Sequence, residues 1–338
     1  MKSPGSTNAP EATRAGERAL IQQIRNRLPP APPSLIVAPG DDAAVVVPER
    51  GAFQVLTTDA IVEGIHFDRR FSSLADIGYK ALAVNVSDIA AMGARPEFGL
   101  LSLILPDWFT TAALDELLDG LLEMAALATV AIAGGNISRS PGPLIVDVTL
   151  TGSVRPRRIL TRGGGKAGDA LYLTGSIGAA AAGLAALERG SPPPALAECI
   201  QRHRRPVPRL RVGMLLGRNR AASACMDLSD GLADAVRQLA EGSGTGATID
   251  ASLLPVDSAA RQWFEFQGND PFTAAVAGGD DFELLFTVPR KRGGRLRAVR
   301  SAARGVPLTK IGELTASPEI IILRDGVPEP LPPGFQHF

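Results

Sequence analysis

The chain has 338 residues, of which 45% are hydrophobic and 21% are charged, a balance typical of a globular protein with room for two domains. Lysines plus arginines number 35, as do aspartates plus glutamates, so no overall field favours nucleic acid or an anionic membrane as a partner. Two cysteines are too few for a disulfide framework. The sequence also has no apolar run of spanning length and no apolar leader. Together with the low cysteine count, this predicts a cytoplasmic protein.

The first half of the chain alternates between helix-type and strand-type segments. Residues 1–14 are polar and predict a disordered tail, although helical periodicity already starts at Glu11 and continues to Leu28, before a proline cluster. Two further helices are predicted over Gly78–Pro96 and Thr110–Ala128. Strands are predicted, in chain order, over Leu35–Val37, Ala43–Val47, Gln54–Thr58, Leu100–Leu105, Val130–Ala133 and Leu144–Ser153.

A basic, glycine-rich segment then interrupts this alternation. Residues 154–169 are interpreted as a linker, which predicts an N-terminal domain over 15–153 and a C-terminal domain over 170–338. In the second domain, strands are predicted over Ala170–Thr174, Ala224–Asp227, Thr248–Asp250, Phe282–Val288, Thr309–Leu314 and Glu319–Leu323. Helices are predicted over Ala179–Arg189, Ala195–Arg202, Leu210–Leu216 and Gly231–Glu241, with a solvated basic helix within Arg290–Arg304. The fold class is therefore α/β (α+β).

The predicted helix Gly78–Pro96 is the segment around which we expect the chain to be organised. One arc of it is apolar, and the opposite arc has Lys80, Asn85, Asp88 and Arg95. Asn85 and Asp88 are neighbours because they are three residues apart. A single aspartate in such a helix is ordinarily part of a solvated face or an internal cap, but other acidic residues of the chain favour a functional role.

Acidic residues recur in predicted loops and at strand ends: Asp41–Asp42, Asp59, Asp88, Asp227 with Asp230, and Asp280–Asp281. Taken singly, a turn explains Asp41–Asp42, and an N-cap of the following helix explains Asp227. Taken together, carboxylates from several loops are the hard oxygen ligands that Mg²⁺ shares with substrate phosphates. Adjacent glycines allow the backbone to approach a phosphate closely. The pattern predicts a site for a nucleotide with more than one Mg²⁺ ion.

Other nucleotide and catalytic motifs do not match. Lys166 is followed by Ala167, so the GGGKAG segment is not a Walker A loop. The segment Gly242–Ala247 loosely resembles a dinucleotide-binding turn, but it follows a predicted helix rather than a strand. No hydrolase nucleophile elbow is found, and the three histidines are too scattered for a zinc cluster.

Six blocks resemble the thiamine-monophosphate kinase family over residues 15–338. They are Gly40–Val46 (GDDAAVV), Thr57–Phe67 (TTDAIVEGIHF), Lys80–Pro96, Asp227–Leu232 (DLSDGL), Gly278–Phe286 (GGDDFELLF) and the final GFQHF. The blocks of the central helix and DLSDGL are shared with a wider group that includes aminoimidazole-ribonucleotide synthetase, selenophosphate synthetase and a hydrogenase maturation factor. TTDAIVEGIHF and GGDDFELLF point to the thiamine kinases.

The resemblance implies a two-domain, PurM-like fold in which the N-terminal domains pair into a β-barrel in a homodimer. It implies an enzyme of thiamine biosynthesis that transfers the γ-phosphoryl group of ATP to thiamine monophosphate, assisted by several Mg²⁺ ions and without a protein nucleophile. The implied metal ligands, directly or through the backbone, are Asp42, Thr57, Thr58, Asp59, Asp88, Asn136, Asp227 and Asp230. The implied ATP contacts are Gly135, Asn136, Arg162 and Ser229, and the implied substrate contacts are His66, Asp280 and Phe335.

Three positions depart from the family pattern. Asn136 replaces a metal-binding aspartate, Asp280 replaces a glutamate, and Phe335 is the nearest aromatic to a tryptophan thought to stack on the substrate in some relatives. Arg162 is either a phosphate clamp or a solvated charge of the linker. Two alternative functions are another ATP-dependent reaction of the same superfamily, such as the aminoimidazole-ribonucleotide branch, and a non-catalytic nucleotide-binding protein.

Overall fold

The computed structural model describes residues 16–334, so the predicted tail 1–14 and Phe335 lie outside the described residues. The helices are α1 (Glu17–Arg27), α2 (Leu74–Ala91), α3 (Thr111–Ala128), α4 (Ala179–Glu188), α5 (Ala197–Arg204), α6 (Leu210–Asn219), α7 (Leu232–Ser243), α8 (Ser258–Phe266), α9 (Pro271–Ala277) and α10 (Gly293–Ala302). The strands are β1 (Leu35–Val37), β2 (Val45–Val46), β3 (Phe53–Val62), β4 (Arg95–Leu105), β5 (Ala131–Arg139), β6 (Ile145–Val154), β7 (Ala170–Thr174), β8 (Ala224–Asp227), β9 (Gly246–Asp250), β10 (Leu284–Val288), β11 (Leu308–Thr315), β12 (Ile320–Arg324) and β13 (Val327–Pro330).

The N-terminal sheet has four strands in the order β3-β6-β4-β5, with only β4 and β5 parallel. Its inner face packs on α2 and α3, where alternate residues of β6, such as Val146 and Val148, are completely buried. On its outer face, Leu35 of the β1–β2 hairpin packs on Phe98. The rest of that face exposes large apolar side chains, including Leu56 and Leu100.

The C-terminal sheet has seven strands in the order β13-β12-β9-β11-β7-β10-β8, and helices cover both of its faces. Leu285 of β10 belongs to the core beneath α7 and α9, whereas Phe286 belongs to the core beneath α6 and α10. Because both faces are covered, all five residues of β10 are buried. The α/β (α+β) fold class is confirmed.

Helix α2 connects the two halves, since it packs on the N-terminal sheet, on α3 and on α6. It begins with a capping box in which Ser73 is the N-cap, and it ends before Gly93, whose φ of +67° requires the left-handed region. Arg95 already lies in β4. The predicted bounds of this helix, Gly78–Pro96, were wrong at both ends. Its polar arc is not a solvated face, because Lys80 and Asn85 are 3% and 0% exposed.

Other elements differ from the predictions in their extent. Strand β3 continues past Thr58, so Asp59 lies inside a strand, and β5 contains Gly134–Asn136 rather than ending before it. Helix α8 and strand β13 were not predicted; β13 is an edge strand, which tolerates the prolines at 328 and 330. No helix within residues 16–334 is both long enough and apolar enough to cross a membrane.

Candidate active site

One stripe of α2 faces the cleft between the two sheets. Lys80, Ser87 and Asp88 lie on this stripe at helical spacing, and each contacts a different element. Ser87 Oγ donates a hydrogen bond to Asp227 Oδ2 of β8 over 2.6 Å. Asp88 Oδ2 accepts a hydrogen bond from Thr57 Oγ1 of β3. The helix therefore gathers polar groups of both sheets along one side.

Strand β3 supplies the N-terminal wall of this cleft. Its alternation turns Thr57 and Asp59 towards α2, together with the buried Ile61, and turns Thr58 to the opposite face of the sheet. The pKa of Asp59 is raised to about 6, first by burial and then by the charge of the adjacent Asp88. Asp59 and Asp88 thus form a close pair of carboxylates.

Two adjoining loops form the C-terminal wall. The Asp280 N–H donates to the Ser229 carbonyl over 2.7 Å, which joins the GGDD loop to the DLSD loop. Gly231 allows this contact, because its φ is +91° and a Cβ would lie 2.5 Å from the Gly278 carbonyl oxygen. Gly231 is also the N-cap of α7, with no side-chain cap, so the N-cap interpretation of Asp227 was wrong. Burial, followed by the charge of Asp88, raises the pKa of Asp227 to about 7.

The chemistry of these side chains fits magnesium. Asp59, Asp88 and Asp227 offer hard oxygen atoms, and no lysine or arginine of the described chain forms an ion pair with any of them. Burial, and after it the charge of Asp88, raises the pKa values of Asp59 and Asp227, and a bound cation would relieve the repulsion between these carboxylates. Within residues 16–334, however, no three His, Cys, Asp or Glu side chains converge as a ready-made metal site. That matches Mg²⁺, which commonly binds one or two carboxylates and completes its shell with phosphates and water.

A second polar group lies on the outer face of the N-terminal sheet. Asp147 of β6 and Asn136 of β5 both pair with Ser102 of β4, so they are in register across three strands. Thr58 Oγ1 lies 3.1 Å from Asp147 Oδ1. Gly135 is required by the sheet itself, because a Cβ there would lie 1.9 Å from the Leu101 carbonyl oxygen.

The structure places two further predicted site residues, Asp42 and Arg162, in neither of these two polar groups. Asp42 is exposed in the loop between β1 and β2. Arg162 is also exposed and donates a hydrogen bond to Gln238, which lies about 9 Å along α7 from the first residue of that helix. Phe335 lies outside the described residues.

Both halves of the chain match known proteins. Residues 40–154 match the N-terminal domain, and residues 166–324 the C-terminal domain, of the AIR synthase related protein family. Thiamine-monophosphate kinase of Escherichia coli is 39% identical over 329 residues, covering 96% of this chain and 98% of that protein. The chain belongs to this kinase family.

Solved structures of the family have the same fold. Thiamine-monophosphate kinase from Stenotrophomonas maltophilia superposes with a TM-score of 0.81 at 33% identity, covering 90% of this chain and 96% of that one. The structure of AaThiL complexed with AMPPCP and TMP gives a TM-score of 0.76 at 31% identity, covering 98% of this chain and 99% of that one. The two-domain fold predicted from the resemblance is confirmed.

Two residues predicted to contact the substrate of the kinase family are connected through α2. His66 lies in the loop after β3, where its Nδ1 accepts the Val62 N–H over 3.1 Å. Lys80 Nζ donates to the His66 carbonyl over 3.1 Å and to Asp280 Oδ2 over 2.7 Å. The ammonium group of Lys80 thus joins a loop of the N-terminal half to the GGDD loop.

Sequence reasoning missed four polar residues of this region. Ser87 was not considered, His203 was considered only as a zinc ligand, Lys80 was placed on the polar arc of the helix without a partner, and Asp147 was treated only as part of a strand. Asp147 had a detectable signal, because it is the single charge in the apolar strand Leu144–Ser153. His203 had none, since its position depends on the packing of α5 against the GGDD loop.

Proposed function

We propose that this chain phosphorylates thiamine monophosphate to thiamine diphosphate, with ATP as the phosphoryl donor and Mg²⁺ as the cofactor. The relatives that match nearly its whole length are thiamine-monophosphate kinases, and one is solved with AMPPCP and TMP. The observation that carries the proposal is the group of three carboxylates, Asp59, Asp88 and Asp227, which have no lysine or arginine ion-pair partner among the described residues and lie in the cleft between the sheets. Such a group suits metal-assisted phosphoryl transfer.

The proposed metal ligands are oxygen-bearing residues from three places. Thr57, Asp59, Asp88, Asp227 and Asp230 are on the walls of the cleft, Thr58 and Asn136 are on the outer face of the N-terminal sheet, and Asp42 is in the exposed loop between β1 and β2. Bound Mg²⁺ ions would neutralise the charge of the phosphates. Thr58 faces away from α2, so its side chain suits the outer-face group with Asp147 rather than the inner group. Asn136 offers an amide oxygen where relatives have a carboxylate, which makes the outer-face group less negative.

The chain's own task is to position two phosphates. Gly135, Asn136, Arg162 and Ser229 are proposed to hold ATP, and His66, Asp280 and Phe335 to hold the substrate. Because His66 Nδ1 accepts a backbone N–H, the ring proton of the neutral imidazole is on Nε2, from which it can donate to an anionic phosphate. The acceptor is itself an ionised phosphate, so direct in-line transfer needs no protein nucleophile and no strong base.

We further propose that the active form is a homodimer in the cytoplasm. Apolar side chains on the outer face of the N-terminal sheet remain exposed, including Leu56 at 67% and Leu100 at 42%. Polar residues proposed to bind metal and ATP lie on the same face. Pairing of two such faces would bury the apolar residues and place these polar groups beside the partner.

The decisive experiment is to measure thiamine diphosphate formation from ATP and thiamine monophosphate with Mg²⁺, and again after chelation. We expect product only with Mg²⁺. ATP hydrolysis or binding without thiamine diphosphate would instead favour another reaction of the superfamily or a non-catalytic role, the two alternatives that the replacement at Asn136 leaves to be tested.

A further inference from the structure

Lys80 is a buried cation whose partners are both predicted substrate contacts. Its side chain is only 3% exposed, yet its Nζ lies 2.7 Å from Asp280 Oδ2 and 3.1 Å from the His66 carbonyl oxygen. An ammonium group is costly to bury unless it is paired and hydrogen-bonded. Lys80 therefore fixes the distance between the His66 loop and the GGDD loop, which belong to different halves of the chain.

Asp280 is held by one oxygen only. Its Oδ2 accepts the hydrogen bond from Lys80 and lies 3.3 Å from His203 Nδ1. Its Oδ1 has no hydrogen-bond partner among residues 16–334, and the side chain is 33% exposed, so this oxygen can accept from a ligand. Burial alone would raise the pKa of Asp280, but Lys80 and His203 outweigh it and hold that pKa well below its usual range. The free oxygen is thus part of an ionised carboxylate.

The acidic residues that follow Asp280 are fully engaged within the protein. Asp281 accepts the Gly178 N–H over 2.8 Å, and Glu283 is completely buried between Arg202 and Arg209. The backbone at Asp280 itself has a φ of +67°, which a non-glycine residue adopts only when its surroundings hold it. Of the three carboxylates in this segment, only that of Asp280 is partly exposed and keeps an oxygen with no hydrogen-bond partner among the described residues.

We propose that Lys80 is a positioning residue for substrate recognition, which aims Asp280 Oδ1 and the His66 ring at one molecule of thiamine monophosphate. The carboxylate oxygen accepts from the amino group of the pyrimidine or faces the positive charge of the thiazolium ring, while the imidazole faces the phosphate. This assignment rests on the proposed function and adds a residue that touches neither substrate nor metal.

The test compares Lys80→Met, which keeps the apolar stem without the charge, with Lys80→Arg and with the exposed control Lys310→Met. For Lys80→Met we expect the KM and the calorimetric Kd for thiamine monophosphate to rise about 10-fold to 100-fold, with the KM for ATP unchanged. Lys80→Arg should recover part of this loss, and Lys310→Met should match the wild type. An equal rise in both KM values, or no rise in either, would overturn the assignment.

A double-mutant cycle with Asp280→Asn separates positioning from general structure. If Lys80 acts through Asp280, Lys80→Met adds little to the loss already caused by Asp280→Asn, whereas additive losses contradict the proposal. Melting temperatures of all variants identify any that fail to fold. If Lys80→Met fails to fold, the same cycle is measured with the conservative variants Lys80→Arg and Asp280→Asn, and it tests the proposal in the same way. A wild-type chain that neither binds nor phosphorylates thiamine monophosphate would overturn the proposed function as well; a normal wild type with an unaffected Lys80→Met would overturn only this inference.

Discussion

At the scale of single residues, the cleft holds carboxylates that repel one another. Burial raises the pKa values of Asp59 and Asp227, and the charge of Asp88 raises both further. A fold that tolerates such repulsion without a cationic side chain stabilises the site only when a cation is supplied from solution. We therefore expect function and stability to respond in opposite directions when one of these charges is removed.

Asp88→Asn tests this expectation. The variant replaces the charged carboxylate with a neutral amide of nearly the same size. We expect turnover to fall at least 100-fold because a metal ligand is lost, while the melting temperature stays the same or rises because repulsion is removed. The matched control is Asp119→Asn on the outer side of α3, which removes an exposed ion pair with Arg27 and should leave turnover unchanged. Full activity in Asp88→Asn would contradict the metal role of α2.

The two thiols give a second prediction. Cys199 and Cys225 are both buried; burial raises the pKa of Cys199 to about 12 and also raises that of Cys225. At pH 8, well below the Cys199 pKa, only about 1 in 10⁴ of the Cys199 groups is a thiolate. Thiol titration of the native protein should therefore detect neither cysteine, and titration after denaturation should detect two. Rapid reaction of either in the native state would contradict their burial.

The residue types allowed a prediction of the kind of chemistry, but not of which side chains contact one another. The acidic blocks and their glycines led to the prediction of a phosphate site with metal, because those residue types are rare in apolar surroundings unless they are used. That site stays a prediction. The partners of Lys80 could not be predicted, because Asp280 is 200 positions away and only the packing of α5 and the GGDD loop places it there. The face of the sheet on which Thr58 lies could not be predicted either, because it depends on the register of β3 against β6, which the sequence does not determine.

At the scale of elements, α2 is unusual because almost no side of it reaches solvent. It packs against α3 through Gly78 and against α6 through Gly213, two positions where helix backbones touch. The sequence predicted a helix but left open whether its polar arc faces water, since periodicity cannot distinguish a solvated stripe from one that faces a second domain. The close contacts make α2 sensitive to very small additions of volume.

Gly213→Ala should show this sensitivity. A Cβ at this position would lie 2.0 Å from the Ala90 carbonyl oxygen, so α6 must move away from α2, at a cost of about 1–3 kcal/mol or more. Gly294→Ala in α10 is the control, because its Cβ would have only the end of the Arg297 side chain within 4 Å, at 3.8 Å; its melting temperature should stay the same or rise. Equal melting temperatures for the two variants would contradict the close packing of α6 on α2.

At the scale of the whole molecule, the two sheets differ in how their faces are covered. The C-terminal sheet is covered on both sides, whereas the N-terminal sheet leaves an apolar outer face in water.

Leu56→Lys should therefore convert the proposed dimer to a monomer, measured by light scattering after size exclusion, because it puts a charge in the pairing face. Phe266→Lys, at an exposed apolar residue of α8 in the other half, should remain dimeric. A dimeric Leu56→Lys would place the interface elsewhere.

The polar stripe of α2 belongs to the N-terminal half of the chain, but its hydrogen-bond acceptors belong to the C-terminal half. We therefore expect the two halves to associate through these hydrogen bonds. Ser87 and Lys80 supply the donors, and Asp227 and Asp280 supply the acceptors, so either part alone would expose polar groups without these partners. Two polypeptides, 1–156 and 157–338, expressed together should reassemble and recover kinase activity, while each alone should have none. Failure of the pair to reassemble, with both fragments soluble, would mean that the peptide connection, rather than the fit of donors to acceptors, holds the halves together.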